Sequence, residues 1–292
     1  MSIVSLETDC SRLSSVGCGG VIKRAFFPQN TAELTEIAIA IAHDEYVILG
    51  GLTNTLVLDE FDGAAVFGTL MKGISVRGDT IRVKSGETFA KLCGVAQYAS
   101  LGGAESFFGL PGTIGGAVVG NSGCFGSEIS EVLESVTVFR LDDGETETLS
   151  RDEIAFGYRY SNLRKNKDFI LDATLRLYPE QSRIIAEKMA QTRKMRQIKQ
   201  PKGKSLGSFF KQYNGVSAGY YIEKAGLKGY EKNGVKVSET HANFLINETG
   251  NAANYLEIAE YVEKTVYDKL GIKLDREVNV VGEEDRKRNS DG

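Results

Sequence analysis

Histidine is almost missing from this chain: His43 and His241 are the only two and lie far apart, so there is little material for a His-rich metal centre and no metal is expected. Cysteine is nearly as scarce. Cys10, Cys18, Cys93 and Cys124 form no CxxC pair and are too scattered for a disulfide framework, so they read as free reduced thiols. No apolar run approaches the length of a membrane span, and the start, MSIVSLETDC, lacks the basic-then-apolar pattern of a signal peptide. The expected location is the cytoplasm. Charge is also in short supply, with a formal net of -4, which excludes a global attraction for nucleic acid or an anionic membrane. Anionic ligands would then have to be held by local Lys/Arg clusters and backbone N–H groups.

What is present is ordinary globular material: 292 residues, 41% hydrophobic and 25% charged, enough for two or three compact units. No repeat or low-complexity linker divides the chain. Residues 21–27 read as a strand. Asn30 with Glu33 makes a capping-box start for a helix carrying Leu34, Ile37, Ala38 and Ile41 on one face, and Tyr46–Leu49 follows as a buried strand. This βαβ unit ends in GGLTN, Gly50 to Asn54. Short strands are expected at 56–59 and 64–68, then a hairpin of 74–77 and 80–84 across Gly78-Asp79, and a helix over 87–99. Strands at 132–141 and 145–149 flank an Asp142-Asp143-Gly144 turn, and 169–177 reads as another strand with alternating character. The pattern is α+β with mainly antiparallel pairing in its second half.

Pro179 marks a change of composition. Residues 182–199 are helical in pattern and carry Arg183, Lys188, Arg193, Lys194, Arg196 and Lys199 against a single acid, Glu187. Such a helix reads first as a solvated basic face; nucleic-acid binding is a weak alternative, since no recognised motif accompanies it and the chain is acidic overall, and a nicotinamide-phosphate or pyrophosphate contact is another. Beyond it come a helix over 217–225 stopped by Gly226, strands at 235–238 and 243–247, a helix over 252–270 stopped by Gly271, and a strand over 272–281. The last ten residues, EEDRKRNSDG, read as a solvated tail.

Glycine is concentrated where chemistry is expected. Nine of the 25 residues from Gly102 to Gly126 are glycine, against about two for average composition. A run such as GLPGTIGGAVVGNSG can turn tightly and offer successive N–H groups to phosphate oxygens. The spacing of Gly109, Gly112, Gly115 and Gly116 fits neither GxGxxG nor GxxxxGK[ST], which argues against a Rossmann dinucleotide fold and a P-loop.

The stretches GGLTNTLVLD, LPGTIGGAVVGNSGCFG, FGYRYSNLR, GSFFK, AGYYIEKAGLKG, HANFLIN and GIKLDREV, in this order over nearly the whole chain, resemble the UDP-N-acetylenolpyruvoylglucosamine reductases, the MurB family. The resemblance implies an FAD-binding half of the vanillyl-alcohol-oxidase (PCMH) type over residues 1–180, in two subdomains of about 1–70 and 71–180. A smaller α+β substrate-binding domain over 181–292 completes it. By the same match Gly50, Gly51, Asn54, Gly112, Thr113, Gly115, Gly116 and Asn121 fall where family members contact FAD. Neither glycine motif contains histidine, in keeping with non-covalent FAD.

The implied reaction takes hydride from NADPH through the flavin to C3 of an enolpyruvyl ether and gives UDP-N-acetylmuramate after protonation at C2, a step of peptidoglycan precursor synthesis. Three residues occupy the matching catalytic positions. Arg159 would engage the substrate carboxylate, Ser208 would supply the C2 proton, and Glu277, protonated in a dry site, would donate a hydrogen bond to the same carboxylate. Lys211 is a candidate for the UDP-sugar diphosphate and Gln212 for a substrate contact beside it, while His241 and Asn243 read as support for the fold. No nucleic acid and no obligate protein partner is implied.

Three features depart from the family pattern. Leu52 and Thr53 stand where glycine and serine are commoner, Gln212-Tyr213 replaces Asn-Pro, and the short interval from Arg159 to Ser208 resembles the compact branch without an inserted tyrosine loop. At this level two alternatives stay open: another FAD oxidoreductase of the same fold, and a catalytically weakened FAD- or UDP-sugar-binding homologue with a regulatory role.

Overall fold

A computed structural model of the chain describes residues 4–282; the expected tail, EEDRKRNSDG, lies outside the described residues. In chain order the main elements are β1 (Leu6–Asp9), β2 (Val21–Phe26), α1 (Thr31–Ala40), β3 (Tyr46–Leu49), β4 (Thr55–Val57), β5 (Glu60–Phe67), β6 (Ile74–Arg77), β7 (Thr80–Lys84) and α2 (Phe89–Tyr98). Then follow α3 (Ile114–Val119), β8 (Leu133–Arg140), β9 (Thr146–Ser150), β10 (Asp168–Arg176) and α4 (Ser182–Lys199). The remainder are α5 (Ala218–Lys224), β11 (Val235–Val237), β12 (Leu245–Asn247), α6 (Ala252–Leu270) and β13 (Asn279–Val281).

They form two compact units. One contains residues 24–51 and 63–196; the other contains 7–23, 52–62 and, among the described residues, 197–282. The division therefore falls at the end of α4 rather than at Pro179. The reason lies in the buried face of α4, where Ile185 and Met189 join the core built by Leu92, Leu101, Ala104 and Phe107.

In the first unit, β8 and β10 lie at the centre of a five-stranded antiparallel sheet of order β9-β8-β10-β7-β6. Both faces of β10 are covered. Phe169 and Leu171 enter a core with Phe26, Leu34 and Ile37, while Ile170, Ala173 and Leu175 enter another with Ile81, Phe89 and Ile114. The strand is buried from Asp168 to Ala173 without interruption, so the expected alternation is lost for the reason that a two-sided strand has no solvent face. The βαβ reading needs one revision: β3 pairs in parallel with β5, register Tyr46↔Ala64 to Leu49↔Phe67, and β5 lies between β2 and β3.

The second unit is held by a core in which Phe209, Phe210, Tyr255 and Val262 are at most 1% exposed. A parallel pair, β4 with β13, joins Thr55 to Asn279 and Val57 to Val281. The expected strand over 272–281 is reduced to β13. Upstream of it the N–H groups of Glu277 and Val278 both go to the Phe209 carbonyl, at 2.8 and 3.3 Å, which a regular ladder does not permit.

Candidate active site

In the first unit the two glycine loops meet at Thr113. A Cβ placed on Gly50 would fall 2.7 Å from Thr113 Oγ1 and 3.9 Å from Gly116 Cα. Thr113 caps α3, its side chain accepting from the Gly116 N–H at 3.4 Å. Gly112 has φ +106°, a region that side chains avoid. Two successive N–H groups of the run are not offered to a ligand. The Ile114 N–H donates to the Glu87 carbonyl at 2.9 Å and the Gly115 N–H to the Ser85 carbonyl at 2.8 Å. Gly115 is glycine because a Cβ there would sit 2.9 Å from Ser85 Cβ; its role is close packing.

This arrangement suits a non-covalent dinucleotide. Neither GGLTN nor the 109–123 stretch contains an acidic side chain, and the Ser85 hydroxyl beside Gly115 is buried with no partner among the described residues. A cradle of glycine backbone and hydroxyls without carboxylates is a donor set for a diphosphate. These residues fit FAD.

Arg159 occupies the tip of a short hairpin in which Phe156↔Ser161 and Gly157↔Tyr160 pair. Its backbone is left-handed, φ 53°, and its Nη2 donates to the Gly123 carbonyl at 2.9 Å. The guanidinium lies 5.1 Å from the Tyr158 ring centroid. Asn121, 1% exposed, donates from Nδ2 to Glu128 Oε2 at 2.7 Å and to the Gly157 carbonyl at 3.0 Å. The glycine segment and the arginine hairpin are thus one hydrogen-bonded assembly.

The sequence reading missed Arg196. It was grouped with a solvated basic face, and Arg183, Arg193, Lys194 and Lys199 are indeed exposed. Arg196, however, is 7% exposed. Its Nε donates to the Phe108 carbonyl at 2.9 Å and its Nη2 to Cys124 Sγ at 2.8 Å, while Nη1 is buried without a partner among the described residues. The available signal was spacing: Ile185, Met189, Thr192 and Arg196 share one helical face, and all four are buried. A cavity of about 330 Å³ lies between this helix and the glycine segment, lined by Glu105, Ser106, Phe125, Ser127, Lys188 and Thr192 among others.

In the second unit Ser208 and Glu277 are brought onto adjacent segments. Ser208 is half-buried and directly precedes Phe209 and Phe210, whose rings pack at 5.0 Å between centroids and anchor the segment in the core. The Glu277 N–H donates to the Phe209 carbonyl at 2.8 Å, and Asn54 Nδ2 donates to the Glu277 carbonyl at 3.1 Å. Lys211 follows on the same segment, its N–H bonded to the Asp275 carbonyl at 2.8 Å. Gln212 is exposed. Asn243 bonds both ways with Phe210, accepting from its N–H at 2.9 Å and donating to its carbonyl at 2.8 Å, a structural use. Burial pushes the His241 imidazole below its ordinary value of 6.5. The structure therefore groups Gly50, Thr113, Gly115, Gly116, Asn121 and Arg159 in one unit and Asn54, Ser208, Lys211 and Glu277 in the other.

Residues 22–150 match the family model of an FAD binding domain, and residues 198–281 match that of the UDP-N-acetylenolpyruvoylglucosamine reductase C-terminal domain. The chain is 37% identical over 270 residues to the UDP-N-acetylenolpyruvoylglucosamine reductase of Streptococcus pneumoniae strain CGSP14, covering 91% of this chain and 89% of that one. It is 36% identical over 279 residues to the reductase of Lactobacillus delbrueckii subsp. bulgaricus strain ATCC BAA-365, covering 94% of each. The chain belongs to the UDP-N-acetylenolpyruvoylglucosamine reductase family. A crystal structure of the Thermus caldophilus reductase superposes with a TM-score of 0.83 at 29% identity, over 96% of this chain and 99% of that one.

Membership makes this reductase-family chain an FAD-dependent oxidoreductase of peptidoglycan precursor synthesis, with an α+β fold. Among the described residues no helix is long and apolar enough to cross a membrane, and no group of three His, Cys, Asp or Glu side chains is placed to hold a metal. The departures from the reductase pattern now have a geometry. Leu52 keeps the left-handed backbone that glycine would adopt, φ 48°, with its side chain 2% exposed. Tyr213 and Val216 exchange backbone hydrogen bonds of 2.9 and 3.0 Å across a two-residue turn, with Asn214 at φ 50° and Gly215 at φ 76°. Proline could not make the first of those bonds.

Proposed function

We infer that the protein reduces UDP-N-acetylglucosamine enolpyruvate to UDP-N-acetylmuramate with NADPH as hydride donor. When bound, FAD supplies the hydride carrier between donor and substrate. FAD would be held by the unit of residues 24–51 and 63–196, with Gly50, Gly51, Gly112, Thr113 and Gly116 at its diphosphate. The other unit holds the UDP-sugar, with Lys211 at the substrate diphosphate and Gln212 as a further substrate contact. The reaction takes place in the cytoplasm and needs no obligate protein partner.

Hydride arriving at C3 of the enolpyruvyl group pushes electron density toward C2 and its carboxylate. Arg159 meets that charge, being permanently ionised and able to bind a carboxylate through two N–H groups. Ser208 delivers its hydroxyl proton to C2, so that the CH2=C unit becomes CH3–CH. Glu277 steadies the carboxylate as a hydrogen-bond donor in its protonated form. The observation that supports this reading is the hydrogen bond from the Glu277 N–H to the carbonyl of Phe209, the residue after Ser208, which joins the two segments that carry the proposed proton donor and carboxylate partner.

Ser208→Ala tests it by anaerobic half-reactions. Bleaching by NADPH should stay near wild type, while recovery of the flavin spectrum with the enolpyruvyl UDP-sugar should slow by about 10²- to 10⁴-fold, the usual contribution of a positioned acid. Equal loss in both halves would remove Ser208 from this role.

A further inference from the structure

Both donors of the Asn121 amide are committed inside the protein. Its two N–H groups go to Glu128 Oε2 and the Gly157 carbonyl, and its Oδ1 accepts from the Ser130 N–H at 3.3 Å. An amide has two donors and no more, so none is left for a cofactor. Gly157 is two residues before Arg159. On the far strand of the same hairpin Ser161, 0% exposed, donates from Oγ to the Val119 carbonyl at 2.8 Å. Arg159 itself bonds the Gly123 carbonyl. Residues 119–123 therefore grip the hairpin at its first strand, its last strand and its tip. A left-handed arginine persists only where its surroundings over-determine it.

We propose that Asn121 is a positioning residue for Arg159, with Ser161 as a second anchor, and not a cofactor ligand. The proposal rests on the reading that Arg159 binds the substrate carboxylate. Through Gly157, Asn121 sets where the guanidinium stands relative to the glycine segment; through Glu128 and Ser130 it fixes the loop that does the holding. Misplacing a charge by about 1 Å is enough to cost roughly 10²-fold in rate, without any contact between Asn121 and the substrate.

The test compares Asn121→Asp and Ser161→Ala, each in wild-type and in Arg159→Ala backgrounds, by FAD content and by the two half-reactions. The expected result is normal FAD content, near-normal reduction by NADPH, and reoxidation by the enolpyruvyl UDP-sugar slowed by about 10²-fold. In the Arg159→Ala background the extra loss should vanish, because the group being positioned is gone. Loss of FAD, equal slowing of both half-reactions, or an undiminished loss in the Arg159→Ala background would each overturn the proposal. Where Asn121→Asp does not fold, Ser161→Ala decides, since it deletes one hydroxyl at an ordinary backbone position. Wild-type reoxidation in Arg159→Ala alone would instead sink the role given to Arg159.

Discussion

Restoring the family's glycine at position 52 should destabilise this protein, although the residue it replaces sits in a conformation that glycine prefers. Leu52 has φ 48° and is 2% exposed, and its carbonyl accepts from the Ser15 N–H and the Ser14 hydroxyl, both at 3.3 Å. Truncating a buried leucine costs about 2–5 kcal/mol. Relief of the left-handed backbone returns about 1–2 kcal/mol, and the larger entropy of glycine in the unfolded chain takes back about 0.5–1 kcal/mol. Burial wins, and the net loss for Leu52→Gly is about 2–3 kcal/mol on these principles. Leu52→Ala should be worse than Leu52→Gly, because it loses the same side chain and keeps the strain. The assay is equilibrium urea unfolding with FAD in excess, so that differences in cofactor affinity do not distort the order. A Leu52→Gly protein more stable than wild type would show that the leucine is merely tolerated and that its buried side chain contributes little.

Two further outcomes are expected. Asp172, 1% exposed, feels opposing influences: burial raises its pKa, but the paired Arg82 and Lys84, at 2.7 and 3.1 Å, more than offset this and hold it below its ordinary 3.8. A depressed carboxylate contributes stability that is present above its unfolded pKa and lost as pH falls through the folded one. The advantage of wild type over Asp172→Asn should thus be constant above about pH 5, near 2 kcal/mol for charge-assisted bonds to half-exposed partners, and should shrink below about pH 4; an advantage that grew on acidification would refute it. Burial also pushes the Cys10 and Cys18 thiols up to about 11 and Cys93 up to about 12. At pH 8 a thiol reagent should leave these three unlabelled in the folded protein and react first with half-buried Cys124; mass spectrometry of labelled peptides checks the order, and early labelling of Cys93 would contradict it.

Elements with local signals were legible in the sequence. The Asn30–Glu33 capping pair does start α1, the Asn30 side chain accepting from the Glu33 N–H, and Gly271 does end α6 in the left-handed conformation, φ 67°. What escaped depends on partners far away in sequence. Helix α3, IGGAVV, has two glycines and two β-branched valines, a poor helix by propensity. It forms because Thr113 caps it and because Ser85 and Glu87 take the N–H groups of Gly115 and Ile114. The placement of residues 52–62 with the C-terminal unit rests on the pairing of Thr55 with Asn279, which no local pattern announces. Arg196 was misjudged for the converse reason: its residue type signals solvent, while its helical face, shared with Ile185 and Met189, signals core.

Two of the three departures from the family pattern, at Leu52 and at Tyr213, differ in kind once backbone and side chain are separated. At Leu52 the side chain changes while the backbone, at φ 48°, is one that glycine adopts freely, and the cost is local strain offset by burial. At Tyr213 the backbone chemistry itself changes. Its N–H donates to the Val216 carbonyl to close the Asn214-Gly215 turn, and its ring packs edge-on against Tyr221 with centroids 5.9 Å apart. Proline supplies neither the donor nor the ring. The loop after Lys211 is therefore shaped by a hydrogen bond that the common family sequence cannot make, and its fit to the UDP-sugar has to be judged from this turn rather than carried over from relatives.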